Sequence, residues 1–224
     1  MNMPVRRIKA LIFDLDQTLV DSIERFFVVF NSTLKFFGGE PLGWSEFMRS
    51  YREDTLDQYI PSGIEKHVFW DHFLRHYDSY NVESRVIEGA RETLSLLKAR
   101  GFYVIVVTGR KSSRGVVEAE LRKLGLLPYV DAVYTAENVD EISKGFSKRS
   151  LMERILRDYR LKAVECVFIG DYKPDMTIGA DLGILTIGVL TGHETEEALK
   201  RAGADYVIKS VKELPGLLRR LGVL

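Results

Sequence analysis

The chain has 224 residues, of which 46% are hydrophobic and 29% charged, a composition typical of a folded globular protein rather than a disordered or membrane-embedded one. Its 32 basic and 32 acidic residues give a formal net charge of zero, which argues against nucleic acid or an anionic membrane as the main partner. The single cysteine, Cys166, excludes an internal disulfide and a zinc site built from several cysteines. No segment approaches the ~20 apolar residues of a membrane span, and the basic N-terminus lacks the apolar region of a signal peptide. We therefore expect a cytoplasmic protein.

Short apolar runs rich in branched side chains alternate with helical patterns along most of the chain. The first run, 8–13, predicts a buried strand, and similar runs follow at 102–107, 130–134, 164–169, 184–189 and 206–208. Helical patterns separate them at 88–100, 113–124, 148–159, 176–182 and 194–202. This alternation predicts an α/β fold with a doubly wound parallel sheet, covered by helices on both faces.

The segment 22–85 interrupts that rhythm. It shows no convincing strand but several helical stretches, broken near 38–43 and 61–63, and it holds 14 of the 24 aromatic residues. We expect an inserted helical domain over 22–85 with its own small core, and a sheet domain formed by 1–21 and 86–224.

Two carboxylates follow the first predicted strand directly. Asp14 and Asp16 stand at positions i and i+2 of Phe-Asp-Leu-Asp-Gln-Thr-Leu, which fits a loop at the carboxyl end of a strand, where α/β sheets bind their ligands. By itself such a pair could equally consist of ordinary acidic loop residues.

Groups useful to phosphate chemistry follow the later strands. Thr108 and Gly109 offer a hydroxyl and an unhindered backbone amide after the run 102–107, and Asp171 and Asp175 follow the run 164–169. Lys148 lies at the predicted first turn of a helix, with Ser147 as a candidate N-cap. Since a helix dipole favours anions at that end, a lysine there is easier to explain if it faces a bound anion.

In this order, the motifs resemble those of the haloacid dehalogenase (HAD) superfamily, closest to its phosphoglycolate-phosphatase-like branch with a helical cap. The resemblance covers nearly the whole chain: residues 14–22 match the first motif and the start of the cap, Thr108 the second motif, Lys148 the third, and Gly170-Asp171 with Asp175 the fourth. Two departures are visible. Gln17 replaces the family's usual glycine, and Lys144 is close enough to rival Lys148.

The resemblance implies a Mg²⁺-dependent phosphatase acting on a small phosphorylated metabolite, such as phosphoglycolate. Asp14 would be the nucleophile, forming an aspartyl-phosphate, and Asp16 the general acid and base. The metal would be held by the Asp14 and Asp171 carboxylates and the Asp16 backbone carbonyl. The remaining roles are phosphate binding by Thr108, Gly109 and Lys148, and support of a metal-bound water or of Lys148 by Asp175.

Substrate-contacting residues of the cap carry no readable motif. Each basic candidate is more often a surface charge; the candidates are Arg25, Arg49, Arg52 and Lys66, with His67, His72 and His76 behind them. Arg110 could serve the phosphate site or be structural, and Asp21 could be a helix-entry residue without a chemical part.

Four other functions compete with the phosphatase. A dehalogenase would lack the second aspartate of the first motif, so Asp16 argues against it. A sugar-phosphate mutase would keep the same core residues, so it stays open. A catalytically silent binding protein would be expected to lose Asp14, Asp16 or Asp171, and a nucleotide- or flavin-binding domain would need a glycine-rich loop after the first strand. Substrate identity and oligomeric state stay open.

Overall fold

A computed structural model describes residues 8–137 and 148–224. Six strands form one parallel sheet: β1 (Ala10–Asp14), β4 (Tyr103–Thr108), β5 (Ala132–Thr135), β6 (Cys166–Gly170), β7 (Leu185–Val189) and β8 (Tyr206–Ile208). Their order across the sheet is β5-β4-β1-β6-β7-β8, and each neighbouring pair is parallel. The central strand β1 is therefore flanked by β4 and β6, the two strands after which the sequence places its other acidic and hydroxyl groups.

Helices cover both faces of this sheet: α4 (Ala90–Ala99), α5 (Arg114–Lys123), α6 (Arg149–Asp158), α7 (Lys173–Leu182), α8 (Glu196–Arg201) and α9 (Leu214–Arg220). Alternate side chains of β1 enter two separate cores, as the period of a strand requires. Leu11 and Phe13 belong to one buried cluster, and Ala10 and Ile12 to the other. The expected doubly wound α/β fold is confirmed.

Some helices begin a few residues away from the positions that the sequence predicts. Helix α7 begins at Lys173, three positions before the expected 176, because Pro174 is well suited to a first helical turn. Lys148 is the N-cap of α6 rather than a residue of its first turn, and its expected cap, Ser147, lies outside the described residues. Helix α9 was not predicted from the sequence.

Residues 22–85 contain α1 (Ile23–Phe36), α2 (Trp44–Arg52) and α3 (Lys66–His76), which we call the helical insert. Their apolar sides pack around a third buried cluster, which includes Val29, Phe30, Leu34, Phe47, Phe69 and Phe73. A short antiparallel pair, β2 (Val20–Asp21) with β3 (Arg85–Val86), joins the two chain crossings into and out of the insert. The domain limits 1–21, 22–85 and 86–224 stay a prediction.

Within the two described ranges, no helix combines the length and the apolar character needed to cross a membrane.

Candidate active site

The carboxyl ends of β1, β4 and β6 bring the predicted groups to one edge of the sheet. Asp14 ends β1, Thr108 ends β4, and Asp171 follows β6 directly. All three side chains are buried, and all three line a cavity of about 740 Å³ that lies between the sheet edge and the helical insert. Gly109, Asp16 and Lys148 line it as well.

Lys148 lies between two of the aspartates. Its Nζ donates to Asp14 Oδ1 at 2.5 Å and to Asp175 Oδ2 at 2.8 Å. Burial lowers the pKa of Lys148, but the charges and hydrogen bonds of Asp14 and Asp175 outweigh it and hold the pKa above its usual value. The ammonium is therefore charged at any physiological pH. Lys144, the rival for this role, lies outside the described residues.

Asp171 is the site carboxylate whose negative charge has no paired cation among the described residues. Its burial, followed by the charges of Asp14 and Asp175, raises its pKa well above the usual value. Thr18 donates to its Oδ1 at 3.3 Å, but within residues 8–137 and 148–224 no ion pair reaches Asp171. Within the same described ranges, Asp175 Oδ1 is buried without a hydrogen-bond partner.

Two glycines let these carboxylates approach the backbone. A Cβ at position 192 would lie 2.0 Å from Asp171 Oδ2, and one at position 170 would lie 2.7 Å from Asp175 Oδ2. A side chain at either position would therefore force the neighbouring carboxylate to move. Gly170 and Gly192 therefore provide the space that lets the carboxylates of Asp175 and Asp171 be buried at this edge of the sheet.

The donor set suits a magnesium ion. Asp14, Asp171 and Asp175 place three carboxylates around a single ammonium, that of Lys148. Hard oxygen ligands are those that Mg²⁺ prefers, and a divalent cation would favour the ionised form of Asp171 against the burial and the neighbouring carboxylates that raise its pKa. The residues present thus fit the metal that the sequence predicts.

Asp16 is held by Arg110, a residue whose role the sequence left open. The guanidinium donates from Nε to Asp16 Oδ2 at 2.9 Å and from Nη2 to Oδ1 at 2.6 Å, and Ser22 donates to Oδ1 at 2.5 Å. Burial raises the pKa of Asp16, but the charge and hydrogen bonds of Arg110 lower it further, so the net pKa lies below its usual value. Asp16 is therefore a fixed, ionised carboxylate in this state.

Arg110 also connects the sheet to the insert. It is 2% exposed, and its Nη1 donates to Asp78 at 2.9 Å and to Glu120. Arg25 of α1 pairs with the same two carboxylates, at 2.7 and 2.8 Å. Arg25, a candidate for substrate contact, is thus committed to this ion-pair network.

Gln17 adopts the left-handed conformation, with φ of 56°. This explains why a glycine is usual at this position in the family that the motifs resemble. With its amide oxygen facing the start of α1, Gln17 accepts from the backbone N–H groups of Ser22 and Ile23, both at 3.1 Å. Its side chain thus partly compensates the backbone conformation by capping a helix. Asp21 assists, because its Oδ1 accepts from Ile23 N at 3.2 Å.

The remaining candidates for substrate contact separate into three groups. Lys66 and His67 line the cavity, whereas Arg49 and Arg52 line a different groove beside α2. His72 stacks on Phe36 and on His76, with ring centroids 4.1 Å apart in each case. Sequence reasoning missed several other residues that line the cavity, among them Tyr51, Trp70, Lys111 and His193.

Comparison with known proteins identifies one family model and several relatives that match most of the chain. The family model described as "Haloacid dehalogenase-like hydrolase" matches residues 11–189. A phosphoglycolate phosphatase of Chromobacterium violaceum is 27% identical over 97% of this chain and 99% of its own length. The pyrophosphatase PpaX of Bacillus pumilus is 25% identical over 92% of this chain and 94% of its own.

Solved structures agree on the fold. A Clostridium acetobutylicum protein assigned as a phosphatase superposes with a TM-score of 0.75 at 23% identity, covering 95% of this chain and 99% of its own. A Thermotoga maritima protein assigned as a β-phosphoglucomutase has a TM-score of 0.65 at 20% identity, with coverages of 95% and 99%. The chain belongs to the haloacid dehalogenase-like hydrolase family and is an enzyme of its phosphatase type.

Proposed function

We propose that the protein is a Mg²⁺-dependent phosphatase that hydrolyses a phosphomonoester through an aspartyl-phosphate on Asp14. The observation that carries the proposal is the contact of Asp14 with Lys148, beside the buried Asp171, in the lining of a cavity large enough for a substrate. A carboxylate nucleophile repels a phosphate dianion, so positive charge between them is the first requirement.

In the first half-reaction, an Asp14 oxygen attacks phosphorus and the bond to the leaving oxygen breaks. Asp16, once protonated, gives its proton to that oxygen, so the product is a neutral alcohol. Thr108, the Gly109 amide and Lys148 donate to the oxygens of the transferring group and spread its charge.

In the second half-reaction, water attacks the phosphorus of the aspartyl-phosphate. Asp16, now a carboxylate, accepts a proton from that water, and Asp14 leaves as a carboxylate with inorganic phosphate. Arg110 and Ser22 keep the Asp16 carboxyl oriented for both steps. Because the pKa of Asp16 is low in the absence of substrate, substrate binding must raise that pKa before Asp16 can donate a proton in the first step.

Magnesium would be held by the carboxylates of Asp14 and Asp171 and by the backbone carbonyl of Asp16, with Asp175 supporting Lys148. When bound, it supplies the positive charge that offsets repulsion between the nucleophile and the phosphate. The helical insert over 22–85 would act as a cap that covers the cavity, and we keep the cytoplasm as the predicted location.

A phosphomutase of the same family is the second candidate. The sheet-edge residues suit both reactions, and one structural neighbour is assigned as a β-phosphoglucomutase, although a likeness at this identity shows the fold alone. A mutase returns the phosphoryl group to a sugar, so stoichiometric release of inorganic phosphate from a monoester favours the phosphatase.

The test is a phosphate-release screen of the purified chain over small phosphomonoesters, phosphoglycolate included, with Mg²⁺ present. Asp14→Asn should abolish turnover and leave the fold intact, whereas the matched change Asp21→Asn, in a carboxylate that caps α1, should stay within a few-fold of wild type. EDTA should stop the reaction and added Mg²⁺ should restore it. Turnover by Asp14→Asn near the wild-type rate, or indifference to EDTA, would refute the mechanism.

A further inference from the structure

The helical insert gives the cavity an aromatic wall. Phe26, Tyr51, Trp70 and Phe73 all line it, and we call these four rings the aromatic wall. Phe26 is the centre of this wall: its ring centroid lies 4.6 Å from that of Phe73, 5.5 Å from that of Tyr51 and 6.1 Å from that of Trp70. Phe26 and Tyr51 are only half-buried, so part of each of these two rings remains available to a ligand.

The wall is also fixed in place. The indole N–H of Trp70 donates to Asp57 Oδ1 at 2.8 Å, and Tyr51 packs edge-on against His193 with centroids 4.9 Å apart. Rings that are already held by neighbours lose little freedom when a ligand stacks on them, so such a surface favours binding of another planar ring.

The cavity offers little to a second negative charge. Among the described residues that line it, the charged cations are Lys66, Arg110, Lys111 and Lys148, and each is paired with a carboxylate. Lys66 pairs with Asp57 and Lys111 with Asp71, while Arg110 and Lys148 hold the reaction-centre aspartates. Burial lowers the pKa of His193, which keeps that imidazole neutral at pH 7.

The size of the cavity also favours a leaving group larger than glycolate. At about 740 Å³ it lies within the range of roughly 300–1,000 Å³ that accommodates drug-sized ligands. A two-carbon leaving group such as glycolate would leave most of the aromatic wall without contact, and its carboxylate would have to share Lys66 with Asp57 or Lys111 with Asp71.

We infer that the preferred substrates are phosphomonoesters whose leaving group carries a planar aromatic ring and no negative charge. This inference rests on the proposed phosphatase function and narrows it: the sheet edge performs the chemistry, and the insert selects a neutral ring-bearing alcohol over the anionic leaving group of phosphoglycolate.

The first test compares alkyl phosphates with similar leaving-group chemistry. Benzyl phosphate, 4-carboxybenzyl phosphate, cyclohexylmethyl phosphate and phosphoglycolate are hydrolysed with Mg²⁺ present, and kcat/KM is measured by phosphate release. We expect benzyl phosphate to exceed both anionic compounds by about tenfold or more, and the non-planar cyclohexylmethyl ester by about threefold. An equal or higher kcat/KM for either anionic compound would overturn the inference while leaving the phosphatase function standing. If no phosphomonoester of any kind is hydrolysed, both proposals fall together.

Two variants test the wall and the charge separately. Trp70→Leu should lower the ratio of kcat/KM for benzyl phosphate over phosphoglycolate about tenfold, whereas Trp44→Leu, in a tryptophan that is 44% exposed and outside the cavity lining, should not change it. Asp71→Asn, which frees the Lys111 charge, should raise kcat/KM for 4-carboxybenzyl phosphate relative to benzyl phosphate. Should Trp70→Leu fail to fold, the Asp71→Asn ratio decides alone, and an unchanged ratio in Asp71→Asn contradicts the inference.

Discussion

Replacing Lys148 by methionine should destabilise the metal-free protein. Methionine keeps most of the volume of the lysine stem, so the cavity term is small and the lost charge dominates. Lys148 is 5% exposed and contacts Asp14 at 2.5 Å and Asp175 at 2.8 Å. Without it, both carboxylates remain buried, beside an Asp171 whose pKa is already raised.

The magnitude follows from the cost of breaking a buried pair. Removing one partner leaves an uncompensated charge and costs about 3–5 kcal/mol. For a chain of this size each kcal/mol corresponds to about 2–4 °C, so the unfolding midpoint should fall by roughly 6–20 °C. Adding Asp14→Asn to Lys148→Met removes one of the stranded charges and should recover about half of that loss.

The assay is thermal unfolding in EDTA at pH 7, followed by circular dichroism, with Mg²⁺ added in a parallel series. Lys123→Met is the matched control, because that lysine is 68% exposed and its pair with Glu83 is a surface one, so the midpoint should barely move. Added Mg²⁺ should stabilise Lys148→Met more than it stabilises the wild type. An unchanged midpoint for Lys148→Met in EDTA, or further destabilisation by Asp14→Asn in that background, would refute the reasoning.

In turnover assays, Lys148→Met should lower the rate far more than Lys144→Met does, and the opposite result would transfer the phosphate-binding role to Lys144.

The two other predictions concern Gln17 and Arg110. Gln17→Ala keeps the left-handed φ of 56° and loses the helix cap, so it should cost about 1–2 kcal/mol in denaturant unfolding. Gln17→Gly relieves the backbone as it loses the cap and should stay within about 1 kcal/mol of wild type; equal losses in both variants would contradict this account. Arg110→Lys cannot reach three carboxylates and should lose about 1.5–3 kcal/mol, whereas Arg114→Lys, in an exposed pair, should lose less than about 0.5 kcal/mol. Similar losses in the two arginine variants would argue that the network adds no stability.

The sequence was sufficient for the sheet because strands such as β1, β6 and β7 are short apolar runs whose residues are all buried. Shorter elements could not be predicted from the sequence, because two-residue strands such as β2 and β3 are too short to show a periodic pattern. The sequence also indicated which residues follow the strand ends, and parallel strand order is the physical reason that these residues converge. The pairing of Lys148 with Asp175 was one of two roles that the sequence left open for that aspartate.

Arg110 shows what the sequence did not provide. Its partners Asp16, Asp78 and Glu120 are 94, 32 and 10 positions away, and no local pattern relates an arginine to carboxylates at such separations. The same limit applies to the aromatic wall. Aromatic residues in the insert were visible as a composition bias, but which rings line the cavity and which fill the insert's own core depends on the packing of its three helices.

The acidity of the site connects stability to function. Like charges buried at one sheet edge raise the free energy of the metal-free state, and Gly170 and Gly192 allow the approach that creates this cost. A cation that binds only the folded chain lowers that free energy by an amount that grows with its concentration over its dissociation constant. The same carboxylates that, in the proposed mechanism, place Asp14 beside a metal ion therefore destabilise the metal-free fold at this edge. Because the two apolar cores on either side of β1 are formed elsewhere, that weakness can stay local and does not require a less stable sheet.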